Sequence, residues 1–365
     1  MKHSPQLDGL RTVAFLGVFL AHWFQDNLWW GGFGVQIFFV LSGFLITGIL
    51  THYDEGPFWP RFKSFFMRRA LRVMPVYYVL LAIMAVCGHT RFLPWHASYS
   101  FNIRVWMLSD QGRFAELLSD WFSEGLHLWS LGIEEQFYLL YPFALAVIPR
   151  SRRAAFLVLG IVASIVARIA LDRHDPTAYY GALLPVCGEY VLWGCLLSVL
   201  LHEGRLDRWR ALPTLAGGIL LFALLVPIGQ PVGLAAQVFA QFIPVPRHDV
   251  WWAYGMQTGY AIAFSLWILG LWKSDDHLIS RCLAWPPMTY LGKISYGLYL
   301  YHLPLWFLAM PEGPLLQRWP GLADHRAVIF VLLLSVTIGV ASLSWFLLER
   351  PMNRLKHRFP YPTSA

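Results

Sequence analysis

Long apolar runs alternate with short polar or Pro/Gly-rich breaks along almost the whole chain. They fall at about 9–28, 33–52, 71–88, 128–148, 154–171, 178–202, 212–229, 250–272, 288–310 and 326–348. Each is close to the roughly 20 residues that carry a helix across a bilayer. The pattern therefore predicts an all-α, polytopic bundle of about ten transmembrane helices forming one membrane domain over 1–365. The run at 231–245 is too short and too rich in proline to span, and reads as a loop or re-entrant piece. No internal repeat breaks the pattern. The longest polar stretch, 89–127, carries Trp95, Trp106, Trp121 and several histidines, and a loop of that length is often functional.

Composition narrows the class. Hydrophobic residues make up 57% and charged residues 13%, about half the charge of a soluble domain. A disordered chain, a disulfide scaffold and an ordinary soluble enzyme are excluded. Cys87, Cys187, Cys195 and Cys282 form no CxxC pair, and three of them sit in apolar stretches. The net charge of +7 would suggest nucleic acid in a soluble protein. Here the basic residues sit at helix ends. With the N-terminus in the cytoplasm, Arg61, Lys63, Arg68, Arg69, Arg72, Arg150, Arg152, Arg153 and the basic residues from Arg350 to Arg358 all fall inside. Most of the 28 Lys and Arg then obey the positive-inside rule, with both termini cytoplasmic. The first apolar run lacks a cleavage site and stays as a span.

Ionisable side chains inside spans cost roughly 2.5–3.5 kcal/mol on insertion scales and mark candidate sites. Arg11 and His22 are eleven residues apart, three turns plus 20°, so both point the same way, about 16 Å apart along one helix. Ser130, Glu134 and Tyr138, with His127 before them, share a helical face; Ser295, Tyr299 and His302 share another. Helical rise puts His22, Glu134 and His302 at similar depth, about 9–12 Å below the outer edge. A buried histidine–carboxylate group is what general-base chemistry on a hydroxyl uses. Stripes of this kind also simply glue helices together. Arg168 and Glu189 read as a structural ion pair, since buried charges are normally paired. Arg68, Arg69 and Arg72 cluster three guanidinium groups within a turn, which suits phosphate as well as positive-inside anchoring.

Read together, the motifs are Leu7-Asp8-Gly9-Leu10-Arg11 with His22; Gly31-Gly32-Phe33-Gly34-Val35; Phe38-Phe39-Val40-Leu41-Ser42-Gly43-Phe44; and Arg68-Arg69-x-x-Arg72. They continue with Trp129-Ser130-Leu131-x-x-Glu134-x-x-Phe137-Tyr138, Ile294-Ser295-Tyr296-Gly297-x-Tyr299-Leu300-x-His302 and Glu349-Arg350-Pro351. This series resembles acyltransferase family 3, the membrane O-acyltransferases, over nearly the whole chain. The resemblance implies acyl transfer from an acyl-CoA, acetyl-CoA by default, to a hydroxyl of a carbohydrate bound for the cell surface. It implies a multi-pass protein of the bacterial cytoplasmic membrane, with no metal. It makes His22 the catalytic histidine with Arg11 as its partner, and gives Arg68, Arg69 and Arg72 the nucleotide end of CoA. Two departures stand out. Gln36 replaces an aspartate common in relatives, a charge that Asp26 is a candidate to supply. The sequence stops at 365 without the SGNH-type domain that some relatives append.

These readings combine into one expectation. Donor phosphates dock on the arginines, the thioester lies near His22, and Glu134 holds the His22 tautomer or offsets its imidazolium. The acceptor enters under the 89–127 loop. Glu135 and His302 have no assigned role. The rival readings are a proton-coupled transporter, which also places His, Glu and Arg in spans, and an acyltransferase acting on a small natural product.

Overall fold

The computed structural model describes residues 3–23, 30–113, 125–174, 180–228, 251–273, 276–309 and 313–362. Among these the chain is helical, with no strand. The helices are α1 (Pro5–Trp23), α2 (Trp30–His52), α3 (Phe58–Val86), α4 (Leu93–Ala97), α5 (Phe101–Asp110), α6 (Trp129–Val147), α7 (Arg153–His174) and α8 (Leu184–His202). They continue with α9 (Ala211–Ile228), α10 (Trp251–Lys273), α11 (Leu278–Leu283), α12 (Pro286–Lys293), α13 (Ser295–Phe307), α14 (Pro314–Arg318), α15 (Arg326–Ser344) and α16 (Arg350–Arg354).

Among the described residues five segments are long and apolar enough to cross a membrane: Gly32–His52, Phe58–Val86, Arg150–His174, Leu184–His202 and Arg326–Arg358. The protein is an integral, multi-pass membrane protein. Helices also form in the other expected runs, but the expected count of ten spans is not reached on this measure. The ninth run is divided: α12 ends at Lys293, and α13, with only 13 residues, starts at Ser295. The segment 231–245 and Asp26 lie outside the described residues.

Small residues fix the closest approaches. A β-carbon at Gly43 of α2 would overlap the Val191 carbonyl of α8, and one at Gly194 of α8 would overlap the Val40 carbonyl of α2. The two backbones therefore touch, as small residues permit in membrane bundles. α1 docks in the same way. Gly9 lies on the Leu283 carbonyl, Gly292 lies on the Asp8 carbonyl, and Thr12 donates a 2.6 Å hydrogen bond to the Met288 carbonyl. These contacts fix α1, and with it Arg11 and His22, against α11 and α12.

Two charge clusters tie helices together. Arg168 of α7 meets Glu189 of α8 at 2.5 Å, with Gln257 and Thr258 of α10 completing the set at 2.7 and 2.6 Å. This is the structural ion pair expected from the sequence. At one end of the bundle, Asp54 receives Arg61, Arg150 and Arg153 at 2.9, 2.9 and 2.6 Å, tying the α2–α3 turn to the start of α7. Burial pushes the Asp54 carboxyl up, but the three arginine hydrogen bonds outweigh it and hold the group below the usual carboxylate range. The C-terminal segment packs at the start of α3: Ser64 donates to the Pro360 carbonyl at 2.7 Å, and Tyr53 stacks on Tyr361.

Candidate active site

A cavity opens between α1, α2, α3, α6 and α13. Its polar lining is Arg11 from α1, Ser42 from α2, Arg69 and Arg72 from α3, Ser130, Glu134 and Tyr138 from α6, and Ser295 and Tyr299 from α13. Valine, phenylalanine and leucine side chains of α2, α3 and α6 complete the wall. The helical spacings explain the convergence. Ser130, Glu134 and Tyr138 are four apart and face one way, as do Arg69 with Arg72 and Ser295 with Tyr299.

Glu134 is held by two hydroxyls. Ser42 Oγ donates to Oε1 at 2.6 Å. The Tyr138 hydroxyl lies 3.3 Å from Oε2 and 3.1 Å from Ser42 Oγ, so its single hydrogen is divided between them. Three guanidinium groups share the lining. Arg11 is braced by Asp8 one turn earlier, at 3.2 Å. Arg69 packs over the Tyr138 ring, 5.3 Å from its centroid. The lining thus carries more positive than negative charge, an arrangement that attracts anions into a low-dielectric space.

The third arginine of the basic run goes elsewhere. Arg68 donates to the carbonyls of Lys356 and Phe359 at 2.9 and 3.3 Å and lies over the Tyr361 ring. Neighbouring positions on a helix point about 100° apart, so Arg68 clamps the C-terminal segment while Arg69 and Arg72 line the cavity. Of the three arginines expected to hold the donor, Arg69 and Arg72 are in the cavity lining and Arg68 is not.

His22 lies beyond the lining, in a cluster of three histidines. Its ring centroid is 5.1 Å from that of His302, and His302 is 5.2 Å from His127. Each ring is oriented by a backbone carbonyl: His22 Nδ1 by Val18 at 2.9 Å, His302 Nδ1 by Tyr299 at 2.6 Å, and His127 Nε2 by Leu300 at 3.2 Å. The Val18 carbonyl therefore sets the His22 tautomer and leaves Nε2 as the acceptor. No hydrogen bond joins His22 to Glu134, whose oxygens accept from Ser42 and Tyr138. Tyr299 links the two groups. It lines the cavity, its hydroxyl meets Ser130 Oγ at 2.7 Å and donates to the His127 carbonyl at 2.8 Å, and its own carbonyl holds His302.

Two further residues had only a place in a quoted motif. Ser42 stands in Phe38–Phe44, and its bond to Glu134 spans two helices. Glu349 is buried at the end of a π-helical turn, Trp345–Glu349, with Oε1 unpartnered and close to Gly297 of α13. Turns of this kind are frequent at functional sites. No group of three or more His, Cys, Asp or Glu side chains among the described residues is arranged to hold a metal ion.

A family model described as an acyltransferase domain matches residues 4–346. The peptidoglycan O-acetyltransferase OatA of Listeria monocytogenes is 30% identical over 383 residues, which covers 97% of this chain and 56% of that protein. The putative peptidoglycan O-acetyltransferase YrhL of Bacillus subtilis is 29% identical, over 96% of this chain and 55% of its own length. A putative O-acetyltransferase of Staphylococcus aureus, SAS0844, is 24% identical over 97% and 58%. The chain thus spans a little over half the length of these relatives. No solved structure matches.

Proposed function

The chain belongs to the acyltransferase domain family of membrane O-acyltransferases, and from that premise we propose that it moves an acetyl group from cytosolic acetyl-CoA to a hydroxyl of an extracytoplasmic carbohydrate in the bacterial cytoplasmic membrane. The observation that carries this reading is the convergence of Arg11, Arg69 and Arg72 on one cavity, with Arg11 on the same helix as His22. A CoA donor brings phosphates at one end and a thioester at the end of an extended arm. Guanidinium groups bind the first by charge-assisted, bidentate hydrogen bonds. The arm then runs along α1, where the rise from Arg11 to His22 is about 16 Å.

In this reading His22 is the general base. Its Nε2 takes the proton of the acceptor hydroxyl as the oxygen attacks the thioester carbonyl. Glu134 acts within the cavity. It fixes the Ser42 and Tyr138 hydroxyls and supplies the negative charge that keeps three arginines together before the donor arrives. The relatives named as peptidoglycan O-acetyltransferases favour a cell-wall glycan as acceptor. A transporter is less well supported, since the charged lining is built around an anion-binding cluster and the sequence carries no repeat.

The test is reconstitution of the full chain in lipid vesicles with acetyl-labelled acetyl-CoA and peptidoglycan fragments. Labelled glycan formed by the wild type and lost in His22→Ala, at equal protein abundance, is the expected result. Transfer by His22→Ala within a few-fold of wild type removes His22 from the mechanism, and no transfer by the wild type removes the donor and acceptor assignment.

A further inference from the structure

The three histidines raise a question of hydrogen counting. His302 is fully buried and His127 nearly so, at 0% and 5% exposure. His22, His302 and His127 each point one ring nitrogen at a backbone carbonyl, so in the neutral state each carries its hydrogen there. The other nitrogens are lone pairs. His302 Nε2 and His127 Nδ1 are buried with no hydrogen-bond partner. A buried polar atom without a partner calls for an explanation.

Ring separation supplies one. An edge-to-edge N–H···N bond of about 2.9 Å puts two imidazole centroids about 5 Å apart. The observed values are 5.1 Å for His22–His302 and 5.2 Å for His127–His302. The rings are thus near enough for one of them, once protonated, to share its hydrogen with its neighbour after a small reorientation. One added proton completes such a bond.

Among the described residues few groups other than the rings themselves could take the charge; His96, near His127, is one. The titratable groups facing His302 from neighbouring elements are His22 on α1 and His127 ahead of α6; on its own helix it is Tyr299, whose hydroxyl is spent on Ser130 and the His127 carbonyl. Phe15 meets the His302 ring edge-on, and Phe19 and Trp306 pack nearby. Among the described residues no carboxylate bonds to any of the three rings.

We propose that His302 is a positioning residue for His22: once His22 has taken the substrate proton, its Nε2–H donates to His302 Nε2, which shares the charge. The idea rests on the reading of His22 as general base. In the full step the hydroxyl oxygen bonds to the thioester carbonyl carbon, and the hydroxyl proton passes to His22 Nε2. That proton sits in the His22–His302 hydrogen bond while the carbon–sulfur bond breaks. It then neutralises the departing thiolate, and both rings return to neutral.

The pair is testable without substrate. Histidine-15N-labelled full-length protein in lipid vesicles is titrated by solid-state NMR, with rings assigned by single substitutions. The expected result is one proton taken up by the pair, with His22 and His302 signals moving at a common midpoint, and a His22 midpoint displaced to lower pH in His302→Phe. Independent titration of His22, unmoved by His302→Phe, overturns the proposal. In the acetyl-transfer assay, His302→Phe should lower kcat roughly tenfold, leave the acetyl-CoA KM unchanged, and move the acid limb of the pH profile to lower pH. His302→Gln, whose amide oxygen accepts a hydrogen bond, should recover part of both. Equal losses in the two variants with an unmoved acid limb also overturn it. A wild type that transfers nothing from acetyl-CoA defeats the donor assignment, and the NMR titration still decides the pair.

Discussion

Ser42 on α2 donates a 2.6 Å hydrogen bond to Glu134 on α6, joining two helices whose contact residues lie 92 positions apart. The carboxylate has a second hydroxyl, Tyr138, on its other oxygen. Both neighbours offer hydrogens, and Glu134 offers none while ionised.

Ser42→Ala should therefore destabilise the protein by about 1.5–3 kcal/mol, the usual worth of a hydrogen bond to a charged group. Glu134→Gln should do no better than Ser42→Ala, because a glutamine amide turns its NH2 group toward one of the hydroxyls. Thermal unfolding in one detergent orders the three proteins. A Gln variant as stable as wild type would show that Glu134 is not held as an anion.

The basic run should divide in function. Arg72→Ala should raise the acetyl-CoA Kd by about tenfold to a hundredfold, the loss of one charge-assisted contact. The effect should shrink as salt rises. Arg68→Ala should leave donor affinity within about twofold and loosen the C-terminal segment, seen as faster proteolysis near Tyr361. Equal donor effects for the two arginines would place Arg68 in the site after all.

Asp54 gives a pH dependence with a definite sign. Its carboxyl is held below the ordinary value of about 3.9 by Arg153, Arg150 and Arg61. A group depressed in the folded state stabilises it above the unfolded pKa, and the benefit is lost as pH falls through the folded value. Wild type should thus lose stability between roughly pH 5 and pH 3 more steeply than Asp54→Asn, which never has the charge to lose. Parallel curves for the two proteins would remove Asp54 from the acid response.

The small-residue contacts should respond by position. Gly194→Ala drives a methyl into the Val40 carbonyl, and overpacking of this kind costs about 1–3 kcal/mol. At Gly339 of α15 an added β-carbon meets nothing, so Gly339→Ala should be neutral or slightly stabilising. Melting temperatures of the two variants make the comparison, and equal losses would show that the α2–α8 approach is not tight.

What the sequence revealed of the site follows the range of the interactions. Spacings within one helix were readable, so the common face of Ser130, Glu134 and Tyr138 and that of Ser295 and Tyr299 appear as expected. The Arg168–Glu189 pair was readable because two charges on adjacent spans had few other partners. Assignments between helices were not. Glu134 chose Ser42 over His22, and His22 found His302 instead, because α1 and α13 meet through packing that no local pattern encodes. Arg68 left the basic run for carbonyls 288 and 291 positions away. Of the ten expected spans, the ninth is divided, because Ser295 at the start of α13 follows a break after Lys293 that a hydropathy window runs through.

Arg11 and His22 ride on one unbroken helix, Pro5–Trp23, and this sets a phase as well as a length. One residue inserted between them would lengthen the helix by about 1.5 Å but swing His22 about 100° around the axis. The ring would leave His302, while Arg11 kept its place beside Asp8. Eleven intervening steps act like the cut of a key, in which rotation matters more than reach. Helix α1 is therefore the part of this protein where a single-codon insertion should be far less tolerable than a substitution at most lipid-facing positions.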